Sequence, residues 1–198
     1  MPRSARSVCV FCGARNGVQP AYAGAARQLG AWLAAEGWRL VYGAGDVGLM
    51  GEVARAAADA GADTFGVIPQ HLLQRERRHD WLPEGPAGGR VVVTETMHER
   101  KKVMFVNCDA IVVLPGGAGS LDEFFEVLTW RQLGLHAKPI FLLDIDGYWA
   151  PLMGLLEHVV AQGFAEPTLL GYFHSVPDVD RLTAGLRQAL DADPFPAM

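Results

Sequence analysis

Short β-branched apolar runs alternate with longer stretches of helical periodicity along nearly the whole chain, which is the pattern of βαβ units wound around a parallel sheet. Strands are predicted over residues 8–11, 39–42, 64–68, 90–93, 110–114 and 139–143, with a further edge strand around 173–176. Helices are predicted over 20–37, 48–60, 96–107, 120–133 and 150–162, and from 179 to a stop before Pro194. Pro20 opens the first of these, Ala23, Ala26, Gly30 and Leu33 share one of its faces, and Gly37 closes it. Gly61 ends the second helix in the same way, and Pro69 stops the third strand. The alternation breaks only over 71–89, where Arg75-Glu76-Arg77-Arg78 and a Pro- and Gly-rich run cannot pack as a regular element. That is a long loop of the kind that carries function.

Ala110 to Leu114 and Ile140 to Leu143 are unbroken apolar runs, as expected of parallel strands buried on both faces. The expected fold is α/β: a Rossmann-like, doubly wound parallel sheet with helices on both faces. All 198 residues read as a single nucleotide-binding domain without internal repeats, with 1–7 and 191–198 as flexible ends.

Ligands of such sheets bind at the carboxyl ends of the strands, near a topological switch point. The loops after Val41, Ile68, Val93 and Leu114 are therefore where chemistry is sought. The first is Gly43-Ala44-Gly45-Asp46-Val47-Gly48, a formal GxGxxG. An NAD site would need an acidic residue at the end of the next strand, where Pro69-Gln70 stands instead. These glycines either permit a tight turn or touch a ligand. The loop after Leu114 is more specific, because Pro115-Gly116-Gly117-Ala118-Gly119-Ser120 joins a buried strand directly to a helix. Backbone N–H groups and a helix amino terminus suit a phosphate there. No lysine follows as in a P-loop, so a monophosphate fits better than a triphosphate.

Ser120-Leu121-Asp122-Glu123 has two readings. It is a capping box that satisfies the helix start, or it is a hydroxyl and carboxylates poised to handle a water or a sugar, with Glu126 a turn further on. Spacing alone favours the box. The helix before it opens with Thr96-Met97-His98-Glu99-Arg100-Lys101-Lys102. A charge run is usually a solvated face, yet at the carboxyl edge of the sheet Arg100 and Lys101 would face the crevice of the glycine loop, where an arginine fork grips a phosphate or a heterocycle edge. A lone His98 on a helix is more often packing than catalysis and stays outside the catalytic set.

Composition narrows the field. Asp and Glu total 22 against 17 Lys and Arg, so the surface lacks the positive field of a nucleic-acid binder. No stretch approaches a spanning helix and no apolar leader follows the amino terminus, which leads to the expectation of a soluble, cytoplasmic protein without a membrane partner. Cys9 and Cys12 lie in a strand-like run that points them to opposite faces, so they read as ordinary reduced thiols. No metal-ligand spacing occurs, and no lysine is singled out for pyridoxal phosphate. No cofactor or metal is expected.

Taken together, His98-Glu99-Arg100-Lys101, the run from Leu114 to Glu123, Leu128-Thr129-Trp130 and Gln132-Leu133-Gly134 strongly resemble the LONELY GUY (LOG) family, once labelled lysine decarboxylases. Tyr42-Gly43, Val47-Gly48-Leu49-Met50-Gly51 and Gly66-Val67-Ile68-Pro69 extend the likeness, which covers about Cys9 to Phe164. It implies an enzyme that hydrolyses the N-glycosidic bond of adenine or N6-substituted adenine (cytokinin) nucleoside 5'-monophosphates, giving free base and ribose 5-phosphate. It implies Arg100 and Glu123 as catalytic residues, and Gly116, Gly117, Ala118, Gly119 and Ser120 as the holders of the 5'-phosphate with Thr129 beside it. Glu76 and Lys101 would contact the AMP-like substrate, and Gly43, Gly45, Leu121 and Asp122 complete the binding set. A homodimer is implied as well, for whose interface Trp81 and Trp130 are candidates, core packing explaining Trp130 equally well. Ser120 stands where the family usually has Thr, Asp122 where Glu is common and Ala118 where Tyr is frequent, while Ala44-Gly45-Asp46 alters a glycine run. The alternative is a nucleotide-binding or cofactor-carrier protein of the same fold that has no turnover.

Overall fold

A computed structural model describes residues 6–73 and 89–191. Seven strands form one sheet in the order β4-β3-β2-β1-β5-β6-β7, and every neighbouring pair is parallel. They are β1 (Ser7–Phe11), β2 (Arg39–Tyr42), β3 (Thr64–Pro69), β4 (Arg90–Thr94), β5 (Ala110–Val113), β6 (Ile140–Leu143) and β7 (His174–Val176). The chain winds outward from β1 to β4, returns to the middle and winds the other way from β5, so the strand order reverses between β1 and β5.

Side chains alternate across these strands, and the sheet accordingly separates two cores. Val8, Val10, Leu40, Tyr42, Val112 and Leu143 pack under α1 (Pro20–Ala35), α2 (Gly48–Asp59) and α6 (Val179–Asp191). Cys9, Phe11, Val41, Ile111, Val113 and Leu142 pack under α3 (Met97–Val106), α4 (Ala118–Gln132) and α5 (Ala150–Ala161). This is the doubly wound arrangement expected. Helices α1 and α2 approach so closely that a Cβ on Gly30 would sit 2.4 Å from the Val53 carbonyl oxygen. None of the three cysteines is in a disulfide, and Cys9 and Cys12 belong to opposite cores. No described helix is long and apolar enough to cross a membrane.

Two expectations move. Ser7 was assigned to a flexible end but opens β1, where its N–H donates to Asp109 Oδ2 at 2.8 Å. Residue 191 likewise closes α6, whereas the rest of both ends lies outside the described residues. Helix α4 begins at Ala118 rather than Ser120, with Gly117 as its N-cap and no side-chain capping bond. The capping box sits one helix earlier: Thr96 caps α3, accepting from the Glu99 N–H at 3.2 Å while Glu99 Oε2 accepts from the Thr96 N–H at 3.1 Å.

Candidate active site

The reversal between β1 and β5 opens a cleft at the carboxyl ends of the strands, and a cavity of about 460 Å³ fills it. Its floor is the loop Pro115-Gly116-Gly117 and the start of α4. The first intrahelical bond of α4 runs from the Leu121 N–H to Gly117 O at 3.1 Å, so helix geometry leaves the N–H groups of Ala118, Gly119 and Ser120 without an intrahelical acceptor. Apart from its immediate chain neighbours and the helix's own backbone, no described atom lies within 4 Å of where a Cβ on Gly117 or Gly119 would stand. Ser120 is buried, its Oγ against Gly116.

Because α4 starts two residues early, Ser120 and Glu123 are its third and sixth residues and cannot form the capping box that their spacing suggested. Glu123 instead lies about 7.5 Å along the axis from the first helical residue, buried on the cavity wall at 9% exposure. Asp122 and Glu126, four apart on another face of the helix, turn away from the cavity and bind Lys101, each with a carboxylate oxygen 3.0 Å from Nζ. Burial pulls the Lys101 ammonium down, and these two carboxylates outweigh it, holding its pKa above the ordinary value.

Arg100 and Lys101 do not share the crevice, since consecutive helical residues point roughly 100° apart. Only Arg100 lines the cavity. It is 5% exposed, and two backbone carbonyls anchor it: Nε donates to Val67 O at 3.1 Å and Nη2 to Gly43 O at 2.9 Å, while Nη1 lies 3.9 Å from Met97 Sδ. Gly43 is what makes this possible, because a Cβ there would stand 2.0 Å from Nη2. The first glycine loop thus serves the arginine. Gly45 is buried but is not among the described residues on the cavity wall. Leu121 packs into the core under α4. Thr129 is exposed near the far end of α4, about 16 Å along the axis from its first residue, so within one chain it does not stand beside the glycine loop. Ala118 is exposed at the helix start, and Glu76 lies outside the described residues. Trp130 is half-buried, its ring edge-on to Phe105 at 4.9 Å, and Trp81 also lies outside the described residues.

The sequence reading overlooked the loop after β1. Gly13 to Gly17 lines the cavity, and its backbone is tied to the other loops: the Gly13 N–H donates to Pro115 O at 3.0 Å, and Gly13 O accepts from the Met50 N–H at 3.4 Å. Two tyrosines were also missed. Tyr148 donates to Gly116 O at 2.6 Å and meets Tyr22 edge-on, 5.5 Å between ring centres. It is aimed by a turn in which Asp146 and Gly147 both take positive φ, 53° and 72°, and in which Asp144 Oδ1 accepts from the Trp149 N–H. The loop after β1 had a legible signal, a Gly-Ala-Arg-Asn-Gly run following a buried strand. The tyrosines had none.

The chain is similar to known proteins along most of its length. Residues 50–186 match the family model described as "Possible lysine decarboxylase". The Oryza sativa subsp. japonica protein named "Probable cytokinin riboside 5'-monophosphate phosphoribohydrolase LOGL9" is 44% identical over 183 residues, 92% of this chain and 78% of that one. Cytokinin riboside 5'-monophosphate phosphoribohydrolase LOG3 of Arabidopsis thaliana is 40% identical over 183 residues, covering 92% and 82%. Among solved structures, the molybdenum cofactor carrier protein of Chlamydomonas reinhardtii superposes with a TM-score of 0.69, covering 95% of this chain and 99% of that one, at 21% identity, a likeness of fold alone. On the extent and identity of these sequence matches, the chain belongs to the LOG family, whose curated members are cytokinin riboside 5'-monophosphate phosphoribohydrolases.

Proposed function

We propose that this protein hydrolyses the N-glycosidic bond of adenine or N6-substituted adenine nucleoside 5'-monophosphates, releasing free base and ribose 5-phosphate. The observation that carries the reading is the release of Glu123 from helix capping: with Gly117 as N-cap, a buried carboxylate faces the cavity one turn beyond a helix start whose first N–H groups lack intrahelical acceptors. A 5'-phosphate on the N–H groups of Gly117 to Ser120 would set the ribose against Glu123 and the base toward Arg100.

Cleavage builds positive charge on the ribose and negative charge on the departing base. Glu123 stabilises the first or orients the attacking water. Arg100, already fixed by Gly43 O and Val67 O, is preorganised to stabilise the second without reorganising during the reaction. Binding energy from the phosphate fixes the sugar, so nucleosides without it are poor substrates.

The carrier reading is favoured by one observation, the shared fold with a molybdenum cofactor carrier. A carrier, however, has no use for a carboxylate and an anchored arginine flanking the sugar. The enzyme is further proposed to work in the cytoplasm as a homodimer, which would bury the exposed Val106, Phe125 and Leu133 and bring Thr129 to a neighbouring site. Chromatography of reactions with AMP and N6-isopentenyl-AMP tests the central proposal. Wild type releases base, and Glu123→Gln loses activity on the order of 10²–10³-fold, the size of removing one transition-state stabiliser. Intact nucleotide in every reaction supports the carrier instead.

A further inference from the structure

A nucleoside monophosphate brings a charge of about −1.5 to −2 at neutral pH, and the cavity wall described above is poorly equipped for it. The amino terminus of α4 supplies N–H groups and about half a positive charge. Glu123 brings a carboxyl side chain to the same cavity, and Arg100 lines it with two donors committed to carbonyls. One further cation lines the cavity among the described residues. Arg15, in the loop after β1, is exposed at the cavity edge, and no described residue forms a hydrogen bond or ion pair with its side chain.

Its backbone, by contrast, is firmly placed. The Gly13 N–H holds Pro115 O at 3.0 Å, and a Cβ on Gly13 would touch Gly116 Cα at 3.3 Å, so this loop abuts the glycine loop directly. On its other side the Arg15 amide nitrogen would lie only 2.2 Å from a Cβ on Gly48, which has a positive φ of 59° at the start of α2. A long cation without a partner among the described residues is thus mounted on a hydrogen-bonded backbone at the cavity rim. Resting on the proposed function, we infer that Arg15 is a binding residue for the substrate's 5'-phosphate, reaching it from the loop that abuts the α4 amino terminus and neutralising what the helix end leaves.

An interaction made with the phosphate is present in both ground and transition states, so its loss raises KM with little change in kcat. The test compares wild type, Arg15→Gln and Arg15→Lys on AMP and on adenosine, and measures ribose 5-phosphate affinity by calorimetry. A charge-assisted bond of this kind predicts a rise in KM for AMP of about ten- to a hundredfold in Arg15→Gln, with the same loss in ribose 5-phosphate affinity. Activity on adenosine stays at the wild-type level, and Arg15→Lys recovers part of the AMP affinity. Unchanged KM and ribose 5-phosphate affinity in Arg15→Gln overturn the inference, as does an equal loss on adenosine. If wild type releases no base from either compound, the hydrolase reading fails on its own, and ribose 5-phosphate binding still decides the role of Arg15.

Discussion

A single methyl group at Gly43 should disable the site from behind. The guanidinium of Arg100 lies against the Gly43 backbone, and a Cβ there would stand 2.0 Å from Nη2, 3.1 Å from Cζ and 2.7 Å from Met50 Sδ. Contact becomes ordinary only at 3.4 Å, so Nη2 must withdraw by about 1.4 Å. The guanidinium is a rigid plane, so this movement also pulls Nε from Val67 O, which it holds at 3.1 Å. A lost hydrogen bond to a charged group costs about 1.5–3 kcal/mol. In stability that is a drop in Tm of several degrees, at roughly 2–4 °C per kcal/mol for a chain of this size. In catalysis, misplacing a reacting group by about 1 Å costs on the order of 10²-fold. Gly43→Ala is therefore expected to lower kcat/KM for AMP about a hundredfold, measured by release of adenine, and to lower Tm in a parallel melt. Gly24→Ala in α1 is the matched control, since nothing lies within 4 Å of its Cβ position. A Gly43→Ala protein with wild-type kcat/KM would refute the anchoring of Arg100 by the β2 loop.

Gly24→Ala itself should raise stability by about 0.5–1 kcal/mol in chemical unfolding, because glycine inside a helix is costly. Gly30→Ala should do the reverse, since its Cβ would meet the Val53 carbonyl oxygen at 2.4 Å and the Ala57 amide nitrogen at 2.8 Å, pushing α1 off α2; a Tm equal to wild type would contradict that packing. Tyr148→Phe deletes the 2.6 Å bond to Gly116 O, and a net loss of about 1 kcal/mol predicts a rise of roughly fivefold in KM for AMP with the fold intact. His136 governs a pH response: burial, foremost, holds its pKa below the ordinary 6.5. Its Nδ1 accepts from the Lys138 N–H at 3.2 Å, so the ring is neutral and Nε2 donates to Val127 O at 2.9 Å. The folded state resists a proton that the unfolded chain accepts, so this contribution is complete above pH 6.5 and is lost as pH falls below it. Melts across that range should show His136→Gln with a shallower decline than wild type.

Most of the architecture was legible because its causes are local. Apolar runs such as Ala110 to Leu114 are explicable only as strands covered on both faces, and Pro20, Gly37, Gly61 and Pro69 mark element ends through backbone chemistry alone. What could not be read was which neighbour an element would meet. Ser120-x-x-Glu123 looks like a cap because the pattern cannot show that α4 has already begun at Ala118 on a glycine N-cap, whereas Thr96-x-x-Glu99 carries the same signature and is a cap. Lys101 reads like Arg100 until α4 is packed beside it and Asp122 and Glu126 claim its ammonium. The loop after β1 was passed over because the switch point depends on strand order, and only the sheet shows that β1 neighbours β5. Tyr148 reaches Gly116 across 32 residues of chain through a strained turn, a contact without any periodic trace.

Where the sugar lies decides the account. A crystal of Glu123→Gln soaked with AMP should show the phosphate on the N–H groups of Gly117 to Ser120, with C1' of the ribose beside residue 123 and the adenine toward Arg100. A nucleotide bound with its ribose away from residue 123, or with its phosphate elsewhere than the start of α4, would contradict it.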